Sequence, residues 1–312
     1  MKNHTEKKVE TKNALSPTKI RESAGSRIFN ICNIIFLGVL SVVALYPMYY
    51  VLTASFSVPS EFVTHRGLMW KPIGFSLASY EAVLANPNIR VGYVNTIIVV
   101  ITTTVLSMLL TSMGAYFLSR KDAMLKKAVM MIIVFTMFFN GGIIPFYLTV
   151  TGLKLDRSLL ALILPVAINT FNLIIMRTSF QSIPASLEES AKIDGAGHFT
   201  ILFKIVLPLS MSTVAVIILF YAVQNWNAWF NAMIFLRDRS LYPLQLVLRE
   251  ILVVNDTSGM ASQVGNDMGD QRMVSETIKY AVIIVATLPI LVLYPFLQKY
   301  FVKGVMVGAV KE

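Results

Sequence analysis

PASLEESAKIDGAGHFTILFKIVLP, residues 184–208, lies between two long apolar runs, and its reading decides the fold. Its charges and unpaired backbone groups would each cost kilocalories in hydrocarbon, so the segment belongs at a membrane surface. Ser186 followed three residues later by Glu189 has the spacing of a capping box and predicts a helix beginning near Leu187. Asp194-Gly195 supplies the stop, because glycine takes the left-handed conformation without a Cβ penalty. Leu187 and Ala191, four apart, predict an apolar face on this helix, and Phe199 and Phe203 repeat the spacing on the next. The expected object is a short helix, a sharp turn and a second helix presented on one side of the bilayer.

The composition agrees with a membrane setting. Of 312 residues, 55% are hydrophobic and 14% charged, too apolar a balance for an ordinary soluble domain. The single cysteine, Cys32, excludes an intrachain disulfide and any multi-cysteine metal site. A net charge of +10 raises the question of nucleic acid, and its distribution answers it. Lys and Arg number 7 in residues 1–27, 4 in 119–127, 3 in 177–208 and 3 in 297–312, against 3, 2 and 5 in the alternate segments 56–90, 149–158 and 228–279. Per residue the first set is the richer, which is the positive-inside bias. No nucleic-acid partner is implied; both termini and the 184–208 loop are expected in the cytoplasm of a multi-pass protein.

Six runs are long enough to cross a core of about 30 Å as helices. They are 28–50, 96–118, 128–148, 159–180, 209–224 (extended by NWNAWF) and 277–296, and an even number suits two cytoplasmic termini. The expected fold is therefore an all-α membrane protein. Residues 1–27 read as a flexible tail, 28–302 as a six-helix transmembrane domain with a cytoplasmic loop over 181–208, and 303–312 as a second tail. Pro59, Pro72, Gly74 and Pro87 predict an irregular first outer loop with short helical turns. In the third outer loop, Leu244, Leu248 and Ile251 recur at helical spacing and predict an amphipathic helix, followed by a mobile segment over 255–270.

No Asp, Glu or His lies inside the six runs, whereas proton- and sodium-driven carriers place titratable or coordinating groups at depth. The chain also lacks G-x-x-x-x-G-K-[ST], so no P-loop cradles nucleotide phosphates. A transporter with neither device takes its energy from a partner. His4, His65 and His198 lie in a tail, an outer loop and the 184–208 loop, and no G-x-S-x-G elbow is present, which disfavours an intramembrane hydrolase.

Three groups of residues could face a passenger. Asn140-Gly141-Gly142 with Pro145 should break the third run, either to line a pathway or as a turn near the outer surface. Asn169 and Asn172 are three apart on one face of the fourth run, as pathway residues or as polar glue between helices. Gln224, Asn225, Trp226, Asn227 and Trp229 combine amides with indoles. That suits sugars, whose hydroxyls pair with amides and whose C–H faces stack on rings, and it equally suits a membrane interface.

Glu189-Ser190-Ala191, then three residues, Gly195, nine residues and Ile205-x-Leu207-Pro208 resembles the EAA loop of ABC importer permeases, and Asp194-Gly195-Ala196 resembles its sugar-importer version. Two departures are Ser190 in place of the usual Ala and Ser212 where many relatives carry proline. From about Arg27 onward the chain is similar to one permease subunit of maltose-type carbohydrate importers, in an LplC/YtcP-like branch, through NGGIIP (140–145), MRTSFQSIP (176–184), YPLQLVLREIL (242–252) and YPFLQKYFVKGVMVGAVKE (294–312). The resemblance implies a type I importer architecture in a bacterial plasma membrane. Its partners would be a second, different permease, two ATPase domains, a solute-binding lipoprotein and an oligosaccharide, often an acidic one. Glu188, Glu189, Ala191, Asp194, Gly195 and Ala196 would form the coupling helix. No cofactor is implied for this chain; ATP and Mg would be used by the partner ATPase. The alternatives are an ion-coupled secondary carrier and an ABC permease for a non-sugar solute.

Overall fold

The computed structural model of the chain describes residues 23–253, 274–292 and 295, so the expectations for residues 1–22, the 255–270 segment and the tail from 303 lie outside the described residues. It forms two compact units, Met1–Tyr49 and Tyr50–Glu312. The first holds most of α1 (Ala24–Ser55), a 32-residue apolar helix that carries Pro47 in its interior and whose last six residues belong to the second. The regular structure of the second unit is helical, with no strand among the described residues. Two short helices, α2 (Pro59–Thr64) and α3 (Ala78–Ala85), occupy the first loop, as its prolines and glycine predict.

The second unit is built around α4 (Pro87–Ser119). Its start is set by local chemistry: the Asn86 side chain accepts from the Asn88 N–H at 2.8 Å, and Pro87 at the first helical position gives up a donor that would be unpaired anyway. One face of α4 is buried along its length by small side chains, Gly92, Thr96, Thr103, Ser107, Thr111 and Ala115. Between membrane helices association rests on close van der Waals approach and polar contacts rather than on the hydrophobic effect, and this stripe supplies both. α8 (Thr170–Gln181), α11 (Met211–Trp226) and α13 (Leu244–Val253) all pack against it. At Gly92 a Cβ would lie 3.1 Å from the Leu244 Cα, so any larger residue would push α13 back by a few tenths of an ångström, and the Leu244 N–H donates to Thr96 Oγ1 at 2.8 Å. Leu244, Leu248 and Ile251 are all buried, as their spacing predicts.

The other runs are less regular than the sequence pattern. The third divides into α5 (Lys126–Phe138) and α6 (Ile143–Gly152), which meet at 115°. Gly142 at the break has φ +86°, and Asn140 Oδ1 accepts from its N–H at 2.9 Å. The fifth joins α10 (His198–Leu209) to α11 at 90°. There Pro208 withholds a backbone donor, and the preceding turn widens to i→i+5 spacing over Leu202–Val206. The fourth run corrects the expectation. It is not one helix but α7 (Leu160–Ile163) and α8, parted by non-helical residues 164–169, because Pro165 cannot continue the turn begun by α7.

α12 (Phe230–Phe235) and α14 (Val274–Val292) complete the helices. Among the described residues three helices are long and apolar enough to cross a membrane unbroken, and five spans result if each bent pair counts as one. The run interrupted at Pro165 separates this count from the six expected.

A candidate coupling helix and a polar cavity

α9 (Ala185–Ile193) is the short helix expected in the 184–208 loop. Its start differs from the capping-box expectation. The cap position is Pro184, with no side-chain hydrogen bond, and Ser186 is already inside the helix. Ser186 already has helical backbone in the first turn, past the place from which a side chain caps, so the chain enters α9 at Pro184 without a polar cap. The end matches expectation closely. Gly195 has φ +83°, its N–H donates to Lys192 O at 3.0 Å, and the Ala196 N–H donates to Ala191 O at 2.9 Å, the pair of bonds that defines a Schellman stop. Among the described residues a Cβ at Gly195 would meet nothing within 4 Å, so the position favours glycine for its backbone and not for lack of room.

The inward face of α9 is also not the one expected. Leu187 is 44% exposed, whereas Glu188 and Ala191 are buried. Ala191 joins a core with Ala115, Met176, Phe180, Ile201 and Val206, which ties α9 to α4, α8 and α10. Glu188 turns inward because Arg120, immediately beyond α4, forms an ion pair with it; the two side chains are 12% and 8% exposed. Arg120 is held from other sides too. Its guanidinium donates to Ser119 Oγ at 2.9 and 3.0 Å and to Phe180 O at 3.3 Å, and it lies 4.8 Å over the Tyr116 ring. Burial lowers the Arg120 pKa, Tyr116 and Asp122 oppose that shift, and arginine starts so far above neutrality that it stays charged.

Arg120 is the residue that sequence reasoning missed: it was read only as one of several basic loop residues. The available signal was its place as the first charge after 29 uncharged residues from Val91. On the rim, Lys192 and Asp122 pair at 3.4 Å while both are well exposed. Glu189, Asp194 and Gly195 are exposed and Ala196 is half-buried. With exposed Ile193 and Phe199 they leave a polar and apolar surface on this helix-turn-helix that the other described residues do not cover.

Far along the chain, four of the predicted passenger residues come together. Gln224, Asn225, Asn227 and Trp229 line a cavity of about 240 Å³ with Thr96 and Asn231. Asn225 is buried and its side-chain amide donates to Tyr221 O at 2.8 Å. Trp226 lies elsewhere, in the core beside Tyr93, donating to Ala286 O at 3.3 Å. Asn140 sits at the α5–α6 break rather than in this cavity. Asn169 is not on a helical face: it caps α8, accepting from the Asn172 N–H at 3.1 Å, while Asn172 itself is buried.

This arrangement has known relatives. The pattern described as "Binding-protein-dependent transport system inner membrane component" matches residues 21–307. The chain belongs to that family. This permease is 43% identical over 286 residues to the polygalacturonan/rhamnogalacturonan transport system permease protein YtcP of Bacillus subtilis, covering 92% of this chain and 99% of the relative. It is 38% identical over 292 residues to the protein LplC of the same organism, covering 94% and 98%. Among solved structures it is similar, at TM-score 0.82 and 33% identity, to a chain of a bacterial ABC transporter involved in the import of the acidic polysaccharide alginate, covering 90% of this chain and 99% of that one. The permease is thus a multi-pass membrane component of a transport system, and its helical fold is that of an ABC importer subunit.

Proposed function

We propose that this permease forms half of the translocation pathway of an ATP-driven importer of oligosaccharides and couples to an ATPase through α9. The observation that carries the reading is α9 itself: a helix stopped at Gly195, fixed to the end of α4 through Glu188–Arg120 and to the core through Ala191, with Glu189 and Asp194 outward. A rigid connection of this kind transmits displacement, and a loop held only by its ends does not. In this reading α9 faces the cytoplasm of a bacterial cell, as do both termini, and a second permease supplies the other half of the pathway. Two ATPase subunits, using ATP and Mg, dock against α9. A solute-binding lipoprotein delivers the sugar from outside. Closure of the ATPases favours the outward-open arrangement only by differential interaction with the two states. The names of the relatives support an oligosaccharide passenger, and the amide and indole cavity is chemically suited to one.

The test is purification of the chain from its own host, followed by ATP hydrolysis after reconstitution, with and without the binding protein and candidate oligosaccharides. Co-purification of an ATPase whose hydrolysis rises with loaded binding protein is the expected result. Solute movement by the chain alone, down an ion gradient and without an ATPase, would contradict it.

A further inference from the structure

A second cavity, of about 430 Å³, adjoins the first through shared Asn227 and Trp229, and it differs from it in one respect: it contains a charge. Gln245 and Arg249, four apart on α13, line it together with Thr287 of α14. Across the two cavities Arg249 is the only charged side chain among the described lining residues. Its guanidinium carbon lies 4.8 Å over the Trp229 ring. Arg249 makes no ion pair with a described residue, and the nearest carboxylate in sequence, Glu250, faces Arg239 at 3.5 Å instead. A half-buried cation resting over an indole is already ordered, so its N–H fork loses little freedom when an anion arrives. It has five donors and, among the described residues, no carboxylate to use them on.

Building on the importer reading above, we propose that Arg249, stacked on Trp229, forms a subsite for a carboxylate carried by the passenger, so that the cavity pair distinguishes uronate-containing sugars from neutral ones. The amides of Gln224, Asn227 and Gln245 pair with hydroxyls, as either kind of sugar offers. Only the acidic kind offers two parallel acceptors to the guanidinium, and that charge-assisted pair is the source of discrimination. Arg249 is a binding residue in this account, and it does not act through α9.

The test uses the assembled transporter in detergent, without binding protein. Binding of trigalacturonate is compared with that of its fully methyl-esterified form by saturation-transfer NMR. The wild type is expected to prefer the acid by about tenfold. Arg249→Gln should bring the ratio near one by weakening the acid alone, and Arg249→Lys should fall between, since lysine keeps the charge without the fork. An unchanged ratio in Arg249→Gln, an equal loss of both ligands, or no binding of either to the wild type would overturn the subsite. If sugar-stimulated ATP hydrolysis by the wild type persists beside any of these, the importer reading stands and only the subsite falls.

Discussion

Two arginines mark two regions of the molecule, and they are held in opposite ways. Arg120 is buried, paired with Glu188 and bonded to Ser119 and Phe180. Arg249 is partly exposed, rests on one ring and is unpaired among the described residues. A buried charge without a partner is too costly to persist, so Arg120 must fix its surroundings, and α9 is what it fixes. A charge at a cavity wall keeps its water, so Arg249 can wait for a ligand. One region is made for rigidity and the other for exchange.

Removing a partner from the fixed region should have the largest effect. Arg120→Ala leaves Glu188 buried and unpaired, with an expected loss of about 3–5 kcal/mol. Thermal unfolding in detergent measures it, and the Arg120→Ala/Glu188→Ala double variant should lose less than the sum of the single losses. Strict additivity would show that the pair is incidental. Next in size is Gly92→Val, which forces a side chain against the Leu244 backbone behind the cavities, with an expected loss of about 1–3 kcal/mol in the same assay. Arg249→Gln sharpens the contrast: giving up only a cation–ring contact, it should cost about 0.5–1 kcal/mol. A loss as large as that of Arg120→Ala would mean that Arg249 is structural.

The smallest effect belongs to Asp122→Asn. The Asp122 pKa is held below the usual carboxylate range by its own backbone N–H first and Lys192 next. A depressed pKa stabilises above the ordinary carboxylate range, and that contribution disappears as pH falls through the lowered value. The pair is well exposed, so the difference between wild type and Asp122→Asn should stay within about 0.5 kcal/mol at neutral pH and vanish in acid.

Local chemistry was legible in the sequence wherever it was enough by itself. The stop at Gly195, the break at Asn140-Gly141-Gly142 and the buried face of α13 each follow from a few adjacent residues. The fourth run was misread as one helix because its hydropathy is continuous, although Pro165 and the cap at Asn169 announce the interruption. The start of α9 was misplaced because Ser186 has cap chemistry, whereas the helix already begins at Ala185, directly after Pro184. What no local pattern reveals is Arg120 against Glu188, 68 positions apart. That contact exists only once α4 and α9 meet, and it is why the helix buries a carboxylate where the spacing suggested Leu187. The cavity was half legible: the amides and Trp229 were singled out together, but Arg249 comes from another helix.

The most direct test of the central claim, that α9 carries force between ATPase and pathway, is transport per ATP hydrolysed in proteoliposomes containing wild type or Gly195→Val. Valine at φ +83° is strained by about 1–3 kcal/mol yet meets open space among the described residues, so insertion and assembly should survive while the outward surface of α9 changes. The account predicts an assembled complex whose sugar transport per ATP falls roughly tenfold or more, because a turn relaxed away from φ +83° and carrying a new side chain presents a different surface to the ATPase. Wild-type transport per ATP in an assembled Gly195→Val complex would contradict it.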